Sequence, residues 1–320
     1  MTNAIAYIIS NCIPSEKNKI LVISDSSTEW IIEDVRRAAE KNNRSLQEIK
    51  IDCTKRHGEE PSEIVLNEML LSDAILCITR YSLAHTNARR EAEKRGIPFL
   101  SMPDYDQKII ANKAMFADYS RICGVVDLYA DMLSRGHFVT VKTDKGTELF
   151  IDITERKGNS CPGMTDPDHL LGSPPDIEAN ISLVETYTHG KIIVDGSITD
   201  RRIGLLSEAV ELTVEHGAVV KIDCVHKEIR DTIRKIFANV GSPNAYVIGE
   251  LGIGFNDKAE LCGNMLIDEG AKGCVHFGIG SNWTIGGTNK VDFHLDFVIR
   301  NATVEVDGEK IIEKGQILYG

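Results

Sequence analysis

No two of the eight cysteines in this chain stand in a C-x-x-C pair. Cys12, Cys53, Cys77, Cys123, Cys161, Cys224, Cys262 and Cys274 are scattered, which argues against a zinc ribbon. In a chain of this size they read as reduced, mostly buried thiols of a cytoplasmic protein. Clusters of Lys and Arg are also missing, and 48 acidic against 36 basic residues leave a formal net charge of -12. Such a chain is poorly suited to nucleic acid or an acidic membrane surface, so neither partner is expected. The opening MTNAIAYIISNCIP lacks a basic stretch, and no apolar run is long enough to span a bilayer. No G-x-G-x-x-G follows the first predicted strand, so no dinucleotide cofactor is argued for. Low-complexity tracts and solenoid repeats are absent as well.

What is present is ample core material, with 42% hydrophobic residues in 320. That amount predicts two domains, placed at residues 1–135 and 136–320. After an N-terminal helix to Ile13, the first half alternates strands (19–24, 46–52, 74–79, 98–102) with helices (28–42, 63–71, 86–95). The alternation predicts an α/β fold with an open parallel sheet. Ligands of such sheets sit at the carboxyl ends of the strands, where Ser24–Ser27 and Arg80–Arg89 fall. Within the second segment Ser82 or Thr86 suits a helix cap with a solvated His85. The alternative turns His85 and Arg89 toward a substrate or its carboxylate.

The second half is β-rich, an α+β domain. Residues 138–142 and 148–153 predict a hairpin, and Asp307-Gly308 between β-branched runs predicts another. Residues 158–175 read as a loop, within which Asp166-Pro167-Asp168-His169 is a turn by its proline and aspartates. Strands are expected at 192–197, 218–223, 245–251, 274–278 and 291–299, and helices at 227–238 and 258–266. Arg201-Arg202 reads as a solvated pair or a carboxylate clamp. His57, His137, His169, His189, His216 and His226 lie in predicted loops or turns.

Chemistry concentrates between Gly249 and Ile299. GELGIGFN, CVHFGIGSNWTIGG and FHLDFVI bring Glu250, His276, His294 and Asp296, each beside an apolar run or a glycine turn. In a strand, His294 and Asp296 share one face. Imidazole with carboxylate suits Zn, Mn, Co or Fe(II), so this stretch is read as a metal site. The alternative for each is an ordinary hydrogen-bonded core residue.

The ordered blocks Glu250-Leu251-Gly252-Ile253-Gly254-Phe255-Asn256, Val275-His276, Gly286-Gly287 and His294-Leu295-Asp296 resemble the thermophilic aminopeptidase T family of metallo-aminopeptidases. The Ser82–Arg89 run resembles a shorter branch of it. The resemblance implies a dinuclear site of Glu178, Glu250, His276, His294 and Asp296, holding two Zn, Co or Mn, with Glu250 shuttling a proton. It also implies a homodimer and, as substrate, a small amide or peptide N-terminus; the cleft between the two domains is where a substrate is expected. Glu178 matches its motif less fully, because the flanking glycine and proline are missing. The family's catalytic tyrosine falls at Trp283, whose indole only donates N–H. Tyr187 and Tyr246 are the candidate phenols to take its place. The chain is also similar to the 2,5-dihydroxypyridine 5,6-dioxygenases, which implies one Fe(II) held by His276, His294 and Asp296. In that reading Trp283 walls a flat ring and His85 is a candidate acid or base. The aminopeptidase-type hydrolase is the first expectation and the ring-cleaving dioxygenase the alternative. The orientation of Glu178 discriminates between two metals and one.

Overall fold

The computed structural model describes residues 2–320. Two compact units divide the chain, one of Met1–Arg121 with Cys161–Pro175, the other of Ile122–Ser160 with Asp176–Gly320. The passage between them therefore lies inside the helix Tyr119–Arg135 rather than at Arg135. That helix was not among the sequence expectations, although Ile122, Val126, Tyr129 and Leu133 are buried at helical spacing.

The first unit holds a parallel sheet, in the order Ser45–Lys50, Lys19–Ser24, Ala74–Ile78, Phe99–Ser101 and Leu171–Gly172. The last of these comes from the segment expected to be a loop. It joins the sheet because Phe99 and Leu100 leave an edge that Leu171 and Gly172 pair with. Leu21, Ile23, Ile75, Cys77 and Phe99 pack against Val65, Met69, Ala88 and Ala92 of the helices. The fold class is thus the α/β one that the alternation of elements predicts.

The second unit contains two antiparallel sheets. The eight-stranded sheet holds both predicted hairpins, Phe138–Lys142 with Glu148–Asp152 and Thr303–Val306 with Glu309–Glu313. Asp307 and Gly308 turn the latter with φ of 49° and 86°, a conformation that asparagine, aspartate and glycine tolerate. The seven-stranded sheet runs Gly204–Leu205, Ser197–Ile198, His294–Ile299, Val275–Gly280, Ile248–Gly254, Glu178–Ser182, Gly158–Cys161. Its Glu178 strand was not among the sequence expectations, although Glu178-Ala179-Asn180-Ile181-Ser182 alternates polar and apolar residues, because it holds one β-branched residue in five. The helix expected at 258–266 is absent and only Met265–Asp268 is helical. Backbone N–H groups of Cys262 and Gly263 donate to the Asp268 carboxylate, and that of Lys258 to Asn256 Oδ1. Side-chain acceptors take the donors that a helix would have used. Among the described residues no helix is long and apolar enough to cross a membrane.

Candidate metal centre

The seven-stranded sheet has one apolar and one polar face in its middle. Register pairs Glu178 with Gly254, Asn180 with Gly252 and Ser182 with Glu250. It further pairs Gly252 with His276, Glu250 with Gly278, Gly278 with Asp296 and Gly280 with His294. Directly paired residues share a face, so all these groups stand on one side. The other side carries Ile181, Leu251, Ile253, Phe277, Ile279, Leu295 and Phe297, all buried. The period of two in each strand separates the chemistry from the core.

Glycine makes room for the rings. A Cβ at Gly252 would fall inside the His276 imidazole, and one at Gly278 would collide with His294 and with the Glu250 side chain. The imidazoles thus lie flat on bare backbone of the neighbouring strand. The segment after the Glu250 strand folds back so that Glu269–Ala271 press on Gly254, and Gly270 touches Asp176. Ala271, Cys274 and Val298 cluster there with Ala259 and Leu261, walling that end of the polar face with hydrocarbon.

Four of the five expected ligands are almost wholly buried, with Glu178 and Glu250 at 6%, Asp296 at 3% and His276 at 1% exposure. The His294 side chain keeps 35%, and so marks the open side. His276 Nε2 lies 3.1 Å from Glu178 Oε2. His294 Nε2 lies 2.9 Å from Asp296 Oδ1 and 3.3 Å from Glu250 Oε2. His294 Nδ1 is 2.9 Å from the Ser281 carbonyl oxygen, which fixes the proton on Nδ1 and leaves Nε2 for the site. Ligand atoms gather in two triplets, Glu178–Glu250–His276 and Glu250–His294–Asp296, each within 4.8 Å, and Glu250 belongs to both. Two further carboxyls, Asp176 and Glu269, adjoin the five and were missed in the sequence. Asp176 comes in as the residue two before Glu178, and Glu269 through the fold-back onto Gly254.

The electrostatics follow from burying this many acids together. Burial alone would lower the His276 pKa, but Glu178, then Asp296 and Glu250, hold it up at about 9. His294 is likewise raised to about 10, its desolvation outweighed by Asp296 and Glu250. Glu250 is pushed up to about 7 by burial, with His294 opposing and Glu178 adding to the shift. Burial and the neighbouring carboxylates drive Asp176 and Glu269 well above the usual range. Asp296 goes the other way: burial would raise it, but His294 holds it below the ordinary carboxylate range.

These residues fit a divalent metal. Glu178 Oε2, His276 Nδ1, Asp176 Oδ1 and Glu269 Oε1 are buried polar atoms that make no well-formed hydrogen bond. Leaving such an atom unsatisfied costs about 1–3 kcal/mol, and the acid oxygens and imidazoles are the donor set that a borderline cation prefers.

The remaining candidates lie elsewhere. His85 belongs to the first unit, exposed and directly before Thr86, whose hydroxyl caps the following helix by accepting from Arg89 N. The Arg89 guanidinium is engaged locally, on the Ala84 carbonyl and the Glu93 carboxylate. Asp166 accepts from the backbone of Asp168 and His169, as a turn. Arg202 is paired with Asp200. Trp283 opens a short 3-10 turn after the His276 strand, 53% exposed, with Lys290 Nζ 5.4 Å from its ring centre. Tyr246 stacks on Phe237, which packs on Phe297 of the apolar face, so its phenol is turned from the metal face. Tyr187 is largely exposed.

Comparison with known proteins agrees with this architecture. The family model for NicX, 2,5-dihydroxypyridine 5,6-dioxygenase, matches residues 9–319. The fold is similar to that of the 2,5-dihydroxypyridine dioxygenase from Pseudomonas putida KT2440, with a TM-score of 0.80, 15% identity, and coverage of 99% of this chain and 96% of that one. It is also similar to wild-type AmpT from Thermus thermophilus, with a TM-score of 0.69, 14% identity, and coverage of 99% and 98%. No curated protein sequence matches significantly.

Proposed function

The chain belongs to the 2,5-dihydroxypyridine 5,6-dioxygenase family, and from that premise we propose that it is a metal-dependent ring-cleaving dioxygenase acting on a hydroxylated pyridine or a similar aromatic ring. The observation that carries this reading is the pair of imidazoles and one carboxylate, His276, His294 and Asp296, on adjacent strands of a buried polar face. Two histidines and a carboxylate with open positions are the set that suits non-haem Fe(II). When bound, Fe(II) would supply the means of bringing O₂ to an electron-rich ring.

The chain's own residues have separable tasks in this reading. His276 and His294 would hold the metal through neutral imidazole, and Asp296, kept ionised, would neutralise part of its charge. Glu250, beside His294 on the same face, is placed to take a ring-hydroxyl proton. Trp283 offers a flat apolar surface at the rim for a ring. The hydrocarbon wall of Ala271, Val298 and Leu261 keeps water from one end.

A second reading is favoured by a separate observation. Glu178 is buried against His276, and Glu250 is common to both ligand triplets. That arrangement suits two Zn, Co or Mn ions with Glu250 between them, and hydrolysis of a small amide or peptide N-terminus. The test is elemental analysis of protein purified without oxygen, followed by oxygen uptake with 2,5-dihydroxypyridine. One Fe per chain and substrate-dependent uptake support the dioxygenase. Two Zn, Co or Mn per chain, no uptake and hydrolysis of aminoacyl amides would replace it with the hydrolase.

A further inference from the structure

Glu178 is not held by its neighbouring acids and histidine alone. Asn180, two residues on and on the same face, donates from Nδ2 to Glu178 Oε1 at 2.7 Å. The Asn180 Oδ1 in turn accepts from Asn159 Nδ2 at 2.9 Å. Asn159 Nδ2 also donates to the Ile285 carbonyl at 3.4 Å, at the end of the Trp283 turn. Three residues earlier, Arg156 donates to the next carbonyl, that of Gly286, at 3.0 Å. Its other nitrogen pairs with Glu185, which also accepts from Thr288 N and from Asn282 Nδ2. One short segment, 156–159, therefore grips both the turn and, through Asn180, a carboxylate of the metal face.

We propose that Asn180 is a positioning residue for Glu178, and that Asn159 couples the state of that carboxylate to the Trp283 turn. The inference rests on the reading that this face binds a divalent metal. Asn180 occupies Oε1 and leaves Oε2, which makes no well-formed hydrogen bond, as the ligand atom toward His276 and Glu250. Outer hydrogen bonds of this kind orient ligating carboxylates and tune affinity. With Oε2 engaged by a metal, the carboxylate would shift on its Asn180 hydrogen bond, and the two amides would carry that displacement to the Ile285 carbonyl. The aromatic rim is thereby adjusted when the site fills.

The chain has two tryptophans, Trp30 and Trp283, so Trp30→Phe leaves Trp283 as the one indole reporter. The experiment is a Zn(II) titration of that full-length protein, reading bound Zn by elemental analysis and Trp283 emission in parallel. Zn(II) is chosen because it is neither redox-active nor paramagnetic. The expected result is an emission shift that saturates with Zn binding. Asn159→Asp, near-isosteric but unable to donate to either oxygen, should bind the same amount of Zn with the shift lost. Asn159→Ala serves if the aspartate variant does not fold. Asn180→Ala should weaken Zn binding by about 10-fold to 100-fold. A silent Trp283 in protein that binds Zn, or an Asn159 variant that responds like its parent, overturns the coupling. An Asn180→Ala variant that binds Zn as tightly as its parent overturns the positioning role. Failure of the parent to bind any Zn removes the metal reading itself, and the coupling with it.

Discussion

At the level of single residues, the glycines beneath the imidazoles make the most direct test of the polar face. Gly252→Ala places a methyl where the His276 ring lies, so the ring or the strand must move. Overpacking of this kind costs about 1–3 kcal/mol, and the variant should purify with sharply less metal even where thermal melts show it folded. Protonation gives a second test, in the metal-free protein. His276 is held at about 9 in the folded chain, above the roughly 6.5 of an unperturbed histidine. A raised pKa stabilises the fold fully below the unfolded value, and that contribution is lost as pH climbs through the folded one. Thermal melts of apo-protein should therefore show falling stability between about pH 6.5 and 9. Metal requires the neutral imidazole, so affinity should rise over the same interval, and a flat pH profile of both would contradict the assignment. His294 and Asp296 were legible in the sequence because a period of two puts them on one face. Glu269 was not, since it lies outside the strands of this sheet and only the fold-back at Gly270 brings it near, and Asp176, two residues before Glu178, went with the strand that was missed.

At the level of elements, the excursion between the Glu250 and His276 strands is held by two buried side chains, Asp268 and Asn256. Asp268 accepts from the backbone of Cys262 and Gly263 and from Ser197 Oγ. Asp268→Ala leaves those donors unsatisfied and should cost about 1–3 kcal/mol or more, read as a lowered Tm. It should also displace Glu269 and the hydrocarbon wall, so metal content should fall with it. The same excursion explains why the predicted helix at 258–266 failed. Its sequence permits a helix, but Asp268 and Asn256 compete for the backbone donors from positions that local pattern does not reveal. The Glu178 strand was missed for a different reason: Ile177-Glu178-Ala179-Asn180-Ile181-Ser182 does alternate, but its small and polar residues carry few of the β-branched and aromatic side chains that mark a strand. Strands that carry glycine beside a ligand, by contrast, were found within a few residues of their observed bounds.

At the level of the whole molecule, metal binding and folding should be linked. The polar face gathers Asp176, Glu178, Glu250, Glu269 and Asp296 under burial, and without a cation their mutual repulsion opposes the fold. Loading at a hundredfold excess over Kd should add about 2.7 kcal/mol, seen as a rise in Tm that a chelator reverses. A chelator without effect on Tm, in protein shown to hold metal, would mean that the ligands lie outside the folded core. The α/β first unit and the β-rich second unit were readable from alternation and turn residues. The division between them was not, because a continuous helix carries the chain across it and a later segment returns to complete the first sheet.

The bare backbone under the two imidazoles has a consequence for metal choice. Side chains that rest on other side chains can repack when an ion of another radius arrives. Here the support is the sheet, whose strands stand about 4.8 Å apart and do not slide individually. The sheet acts as a ruler, with ligand origins graduated along it by hydrogen bonding rather than by packing. On the proposed reading, ions would therefore be discriminated by how far Glu178, Glu250 and Asp296 can swing on their own short stems, and a longer or shorter acid at any of the three would change which metal is held before it changed whether one is.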